Sequence, residues 1–201
     1  MPRSARRNIA DIKRTSEEAF GVKRKKMKIK TDRLVLRPLT TEYLSEAHEF
    51  LGDLENTRST KYFPTDSIEE TREFLARCEA EWQKNLPTYH EFAVILDTSL
   101  VGKVSLYLSP DRSTGNIGWI FNKRFWGRGY AQEAATAVRD FAFEVLGIKK
   151  LVARCDYRNT SSITLVKKLG MQFEFEGVRQ NRSSPEQIPE YNFAMENPKS
   201  T

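Results

Sequence analysis

The run Arg124-Phe125-Trp126-Gly127-Arg128-Gly129-Tyr130-Ala131 stands between an expected strand, Asn116–Phe121, and an expected long helix. Beyond it, Ala131, Ala134, Ala135, Val138, Phe141, Ala142 and Val145 fall at offsets of 3, 4, 7, 10, 11 and 14 residues. That is a continuous apolar stripe at helical period, stopped by Gly147. Gly127 and Gly129 admit backbone conformations barred to other residues and let a ligand come close. The first amides of the helix have no internal acceptor and lie at the positive end of its dipole. The junction is therefore suited to an anion such as a pyrophosphate, with Arg124 and Arg128 adding charge. Taken alone, the two glycines equally suit a plain strand-to-helix turn. A dinucleotide fingerprint fails because Gln132 stands where its last glycine belongs. A P-loop fails because Tyr130, not lysine, follows Gly129.

The rest of the chain alternates between strand and helix patterns, which predicts an α/β (α+β) fold. Leu34, Leu36 and Leu39 mark a first strand ended by Pro38, and Glu42–Leu51 reads as a helix. Ser67-Ile68-Glu69-Glu70 is a capping box, in which Ser67 accepts from a backbone N–H and Glu70 reaches back, opening a helix to about Lys84. Strands are expected at Glu91–Leu96 and Val101–Leu108 around the turn Asp97-Thr98-Ser99, then at Leu151–Cys155. A helix from Ser161 to Leu169 and strands at Met171–Gly177 and Tyr191–Met195 complete the pattern, with a polar loop at Asn181–Pro189.

Composition narrows the setting. The chain has 201 residues and a net charge of +6, but the basicity is local. Residues 1–30 hold eleven Lys or Arg against three acids, a balance of +8 that leaves −2 for the remainder. We divide the chain into a basic extension, 1–27, and a folded domain, 28–198. Within the extension Ile9, Ile12, Ala19 and Phe20 line one face of a short helix ending at Gly21. The tail reads as a solvated extension, or as a basic arm touching RNA or ribosome. Two cysteines, Cys78 and Cys155, and two histidines, His48 and His90, give no evident metal site. No apolar run is long enough for a membrane span and no secretory signal opens the chain, so cytoplasm is the expected location. The Arg-rich start also suggests a mitochondrial presequence, which Asp11, Glu17 and Glu18 interrupt.

Three segments in order resemble one family. Arg124-x-x-Gly127-x-Gly129 matches the R/Q-x-x-G-x-G/A signature of GNAT acetyltransferases. Thr31-Asp32-Arg33-Leu34-Val35-Leu36-Arg37-Pro38-Leu39 resembles the opening strand of the branch that acetylates N-termini of ribosomal proteins. Asn159-Thr160-Ser161-Ser162, then Lys168-Leu169-Gly170-Met171, resembles its N-x-x-S…K-x-G-F segment. The resemblance runs from about Lys28 to Met195.

The resemblance implies a mixed, mostly antiparallel sheet with splayed middle strands flanked by helices, and acetyl-CoA as co-substrate without a metal. The loop from Arg124 through Trp126, Gly127, Arg128, Gly129, Tyr130 and Ala131 would hold the pyrophosphate. Backbone groups of Ile120 and Asn122 would bond pantetheine amides, those near Ile120–Phe121 would serve the oxyanion, and Asn159 would hold the pantetheine arm. Ser162 would assist the leaving sulfur, since Val166 occupies the place of the tyrosine that many relatives use. Asn116 stands where related sequences often carry a glutamate base, leaving Glu91 and Glu190 as base candidates beside the plainer reading of surface charges. Asn159 and Ser162 likewise suit a simple helix start.

A site with a weak base favours an easily neutralised amine. At pH 7 deprotonation costs about 1.4 kcal/mol for an α-amine and about 4.6 kcal/mol for a lysine. The expected function is thus acetyl transfer to a protein N-terminal α-amine. A polyamine or aminoglycoside acceptor, a catalytically silent acyl-CoA-binding module and an RNA-binding protein stand as alternatives. Trp82, Tyr89, Tyr62 and the segment Asn56–Thr65 are expected to wall the acceptor pocket. Trp119, Trp126, Phe141, Phe143 and Cys155 read as packing.

Overall fold

Short apolar runs and apolar–polar alternation mark the expected strands, and in the computed structural model these strands pair into a single sheet. The structure describes residues 27–60, 64–180 and 187–199, and all that follows concerns these. Tyr62, most of the basic tail and residues 181–186 fall outside them.

The elements are β1 (Ile29–Lys30), β2 (Leu34–Pro38), α1 (Leu44–Leu51), α2 (Leu54–Thr57), α3 (Ile68–Gln83), β3 (Tyr89–Leu96), β4 (Ser99–Leu108), β5 (Thr114–Phe121), α4 (Tyr130–Glu144), β6 (Lys150–Asp156), α5 (Thr160–Lys168), β7 (Gln172–Gln180) and β8 (Gln187–Glu196). The sheet runs β1-β2-β3-β4-β5-β6-β8-β7. Its neighbours are antiparallel except β5 and β6. The parallel pair needs a crossover, and α4 supplies it.

Two apolar layers fix the helices. On one face Val138, Phe141 and Ala142 of α4 pack with Leu34, Leu36, Phe92, Val94, Val104, Leu106 and Ile117, joined by Leu165 and Val166 of α5. On the other, Phe50 and Leu51 of α1 and Leu75 and Cys78 of α3 cover Ala93, Ile95, Leu100 and Ile120. Trp82, expected as an acceptor wall, is instead core at 2% exposure. Its Nε1 donates to Glu91 O at 2.9 Å, and its ring meets His90 and Phe92 edge-on.

The capping box forms with one change. Ser67 Oγ accepts from Glu70 N at 3.1 Å, but Glu70 reaches back to Asp66 N at 2.7 Å rather than to Ser67. The final hairpin is longer than its hydrophobic pattern suggested: Gln180 pairs with Gln187, and polar side chains dominate both strands at that end. The expected first helix divides into a 3₁₀ turn at Thr41–Tyr43 and α1.

Candidate active site

The site begins where β5 and β6 part. They pair only from Thr114–Asn116 to Lys150–Val152, and a wedge opens beyond. Antiparallel ladders alternate the direction of main-chain groups, so the facing residues follow from two bonds. Asn122 N donates to Val101 O at 3.0 Å and Ser109 N to Thr114 O at 2.8 Å. Asn122, Ile120, Gly118 and Asn116 therefore spend their main-chain groups on β4. Trp119 and Phe121 face the wedge instead, in place of the Ile120 and Asn122 groups expected there. Phe121 O is taken by Trp126 Nε1 at 2.7 Å. On the opposite wall Tyr157 N bonds Pro189 O, so odd residues of β6 serve β8 and Arg154 turns its amide to the gap. An extended amide-bearing chain fits there as an added strand.

The glycine turn lies at the end of the wedge. Gly127 and Gly129 have φ of +74° and +78°, which strain any residue with a Cβ. An added Cβ at Gly127 would meet nothing within 4 Å. Gly129 is the N-cap of α4 and brings no side-chain cap, so the first-turn amides lack a protein acceptor. These features fit a pyrophosphate. The turn is braced from behind by Glu133, which accepts from Thr31 Oγ1 at 2.5 Å, Arg33 N at 2.8 Å and Arg33 Nε at 2.7 Å. Arg33 continues to Arg128 O at 3.0 Å and lies 4.6 Å over the Tyr130 ring. Burial works against the Glu133 charge, but the Thr31 and Arg33 donors outweigh it and hold the carboxyl below its usual range.

Strand register places a polar row on the sheet face that α1 and α3 leave uncovered. It comprises Glu91 on β3, Lys103, Ser105 and Tyr107 on β4, Asn116 and Gly118 on β5, Arg154 and Asp156 on β6, Glu190 on β8 and Arg179 on β7. An added Cβ at Gly118 would meet nothing within 4 Å, so the glycine leaves space beside the wedge. Lys103 Nζ bonds Glu91 Oε2 and Ser105 Oγ, each at 2.9 Å. Ser105 and Tyr107 also donate to Glu91, at 3.0 and 2.8 Å. Asp156, 1% exposed at its side chain, receives Arg158 Nη2 at 2.9 Å and Arg179 Nη2 at 3.1 Å. Burial opposes the charge of Asp156, and the two guanidiniums overcome it, lowering its pKa. Arg179 also donates to Ser59 O at 2.8 Å, tying the hairpin to the segment after α2.

The wedge, the turn and the polar row apart from Glu91 line one cavity of about 1470 Å³, larger than a single small-ligand pocket and sufficient for two reactants. Of the expected residues, Ile120, Phe121, Trp126, Gly127, Gly129, Tyr130, Ala131, Asn159, Ser162 and Glu190 line it. Asn159 Oδ1 caps α5 by accepting from Ser162 N at 3.0 Å, which leaves its amide nitrogen for a ligand. Asn122, Arg124, Arg128 and Glu91 stand outside the lining. Asn122 accepts from Arg124 N and donates to Glu49, while the Arg124 guanidinium pairs with Glu49. Arg128 lies 6.0 Å over the Phe125 ring. Glu91 is fully buried, with both oxygens engaged by Lys103, Ser105 and Tyr107. Tyr89 stacks on Tyr107 and donates to Arg77 O, also outside the lining. Cys155 does line the cavity, but burial pushes its thiol up to about 12, so it remains protonated at neutral pH.

The sequence reading missed Lys103, Ser105, Tyr107, Arg154 and Arg179. Their signal was present in Val101–Leu108, where polar residues at 103, 105 and 107 interrupt an apolar strand.

The family model described as "Acetyltransferase (GNAT) domain" matches residues 33–172. The uncharacterized N-acetyltransferase YnaD of Bacillus subtilis is 28% identical over 152 residues, covering 74% of this chain and 84% of its own. A GNAT-family acetyltransferase structure from Bacillus anthracis superposes with a TM-score of 0.74 at 27% identity, over 85% of this chain and all but 1% of its own. A Vibrio cholerae structure assigned as a ribosomal-protein-serine acetyltransferase shares the fold, with a TM-score of 0.71 at 23% identity over 86% and 98% of the two chains.

Proposed function

The chain belongs to the GNAT acetyltransferase family and is an acyl-CoA-dependent N-acetyltransferase, and on that premise we propose that its acceptor is a primary α-amine, such as a protein N-terminus. The observation that carries this reading is Glu190. It is 8% exposed, lines the cavity on the polar row, and its carboxylate has no hydrogen bond or ion pair among the described residues.

Each group then has a task. The glycine turn and the first amides of α4 bind the pyrophosphate of acetyl-CoA, and the amides of Phe121 and Arg154 grip the pantetheine arm. The Trp119 N–H, deeper in the wedge, polarises the thioester carbonyl, and Gly118 gives the amine access to it. Glu190 takes one proton from the acceptor ammonium, directly or through one water. The amine nitrogen bonds to the acetyl carbon as the carbon–sulfur bond breaks. The sulfur leaves with the electron pair, and Ser162 relays the remaining proton from nitrogen to it. Amide and thiol result, and the proton on Glu190 passes to solvent. Cys155 takes no part, since a protonated thiol is a poor nucleophile.

One carboxylate is a modest base, so the difference of about 3.2 kcal/mol between neutralising a lysine and an α-amine sets the selectivity, roughly 200-fold. The test compares initial rates of CoA release with a free-N-terminal peptide and with the same peptide blocked at its N-terminus but carrying an internal lysine. The free N-terminus is expected to react at least about 100-fold faster. Equal or faster lysine acetylation overturns the reading. Glu190→Gln is expected to lower kcat by about 100-fold or more.

A further inference from the structure

This inference rests on the transferase reading and concerns what else the acceptor molecule carries. After its internal pairings, the polar row retains charge in an uneven pattern. Lys103 and Glu91 cancel. Asp156 is answered by two guanidiniums. Arg154 is exposed on a central strand, lines the cavity and has no charged partner among the described residues. Glu190 is the row's one carboxylate without a partner. Once an incoming ammonium meets Glu190, the Arg154 guanidinium remains unanswered on the same sheet face.

Geometry sets their spacing. Asp156 is directly opposite Glu190, and Arg154 is opposite Asn192. Arg154 and Glu190 are thus diagonal neighbours on one face, with β-carbons about 7–8 Å apart. A guanidinium binds a carboxylate bidentately, with directional preference that a point charge lacks. We infer that the acceptor presents a side-chain carboxylate a few atoms from its α-amine, with the amine at Glu190 and that carboxylate at Arg154. Two sources share that chemistry: a free acidic amino acid, and a peptide whose first or second residue is Asp or Glu. A polyamine brings several positive charges to a row with one unpaired carboxylate, and like charges there oppose binding.

The experiment uses the full chain with acetyl-CoA. Initial rates of thiol release are measured with peptides beginning Asp or Glu, with their Asn or Gln isosteres, with free aspartate and glutamate, and with spermidine. The expected result is a kcat/KM for the acid at least about tenfold above that of its amide isostere. Whether peptides or free amino acids react identifies the source. The acid-over-amide ratio within one variant is independent of how much total activity that variant keeps. Arg154→Gln is expected to bring the ratio to about one, and Arg154→Glu to invert it. A ratio near one in the wild type, a ratio unmoved by Arg154→Gln, or spermidine as the fastest acceptor overturns the inference and leaves the transferase reading intact. If no amine in this panel releases thiol while other free-N-terminal peptides do, this inference falls alone; if no free-N-terminal peptide reacts at all, the α-amine reading falls and this inference with it.

Discussion

Replacing Lys103 with Met probes the buried pair that floors the acceptor side. The side chains of Lys103 and Glu91 are 4% and 0% exposed, and their charged atoms are 2.9 Å apart. Methionine keeps the length and apolar stem but removes the ammonium, leaving the Glu91 carboxylate in a dry site. Breaking a buried pair in this way costs about 3–5 kcal/mol. The Ser105 and Tyr107 hydroxyls still donate to Glu91, so the lower end, about 3 kcal/mol, is the value to expect. For a domain of this size that lowers Tm by about 6–12 °C. The assay is urea unfolding followed by circular dichroism, extrapolated to water, with thermal melts alongside. Adding Glu91→Gln to Lys103→Met removes the stranded charge and is expected to recover at least half the loss, so the two substitutions are strongly non-additive. A Lys103→Met protein within about 1 kcal/mol of wild type, or a double variant no more stable than the single one, would refute the claim that the pair is desolvated and coupled.

Three further outcomes follow from the site. Gly129→Ala forces a residue with a Cβ to φ of +78°, at about 1–2 kcal/mol; the KM for acetyl-CoA is expected to rise several-fold with a smaller change in kcat, and an unchanged KM would show that the turn does not hold the pyrophosphate. Glu133→Gln removes the charge that anchors Thr31 and Arg33 behind that turn; calorimetry is expected to show CoA binding weakened about tenfold, since a charge-assisted bond is worth about 1.5–3 kcal/mol. Asp156→Asn tests linkage: the wild-type carboxyl has a lowered pKa, so its stabilisation is full above the ordinary carboxylate range and fades as pH falls through the lowered value. The wild type should therefore exceed the variant in urea stability at pH 7 and converge with it in strong acid, and a constant difference across pH would contradict this.

The sheet and its crossover were legible because burial on one face writes itself as a period. The stripe from Ala131 to Val145 required α4 to lie on a sheet, and two glycines before it marked where an anion fits; α4 spans Tyr130–Glu144 with Gly129 as its cap. The end of the hairpin was less legible. Phe173 and Phe175 alternate with Glu174 and Glu176 and mark the start of that strand, but Gln172–Gln180 is half-exposed or exposed throughout, so no burial pattern shows where it ends. Its extent is set by pairing with β8, a property of two segments together.

The reactive face was hidden for a related reason. His90-Glu91-Phe92-Ala93-Val94-Ile95 is buried on both faces, so its pattern does not say where Glu91 points. That is decided by the register opposite Ser105, which puts Lys103, Ser105 and Tyr107 around it and removes it from the cavity. The same pairing logic brings Glu190 forward, opposite Asp156, whose charge Arg158 and Arg179 already answer. Two glutamates that were equivalent as letters become different chemical groups because one strand partner supplies donors and the other leaves the carboxylate unpaired. The distinction between a structural carboxylate and the proposed base therefore lies in cross-strand neighbours, and substitutions at those neighbours, Ser105 and Tyr107 for Glu91 and Asp156 for Glu190, should shift the roles more than changes in adjacent sequence.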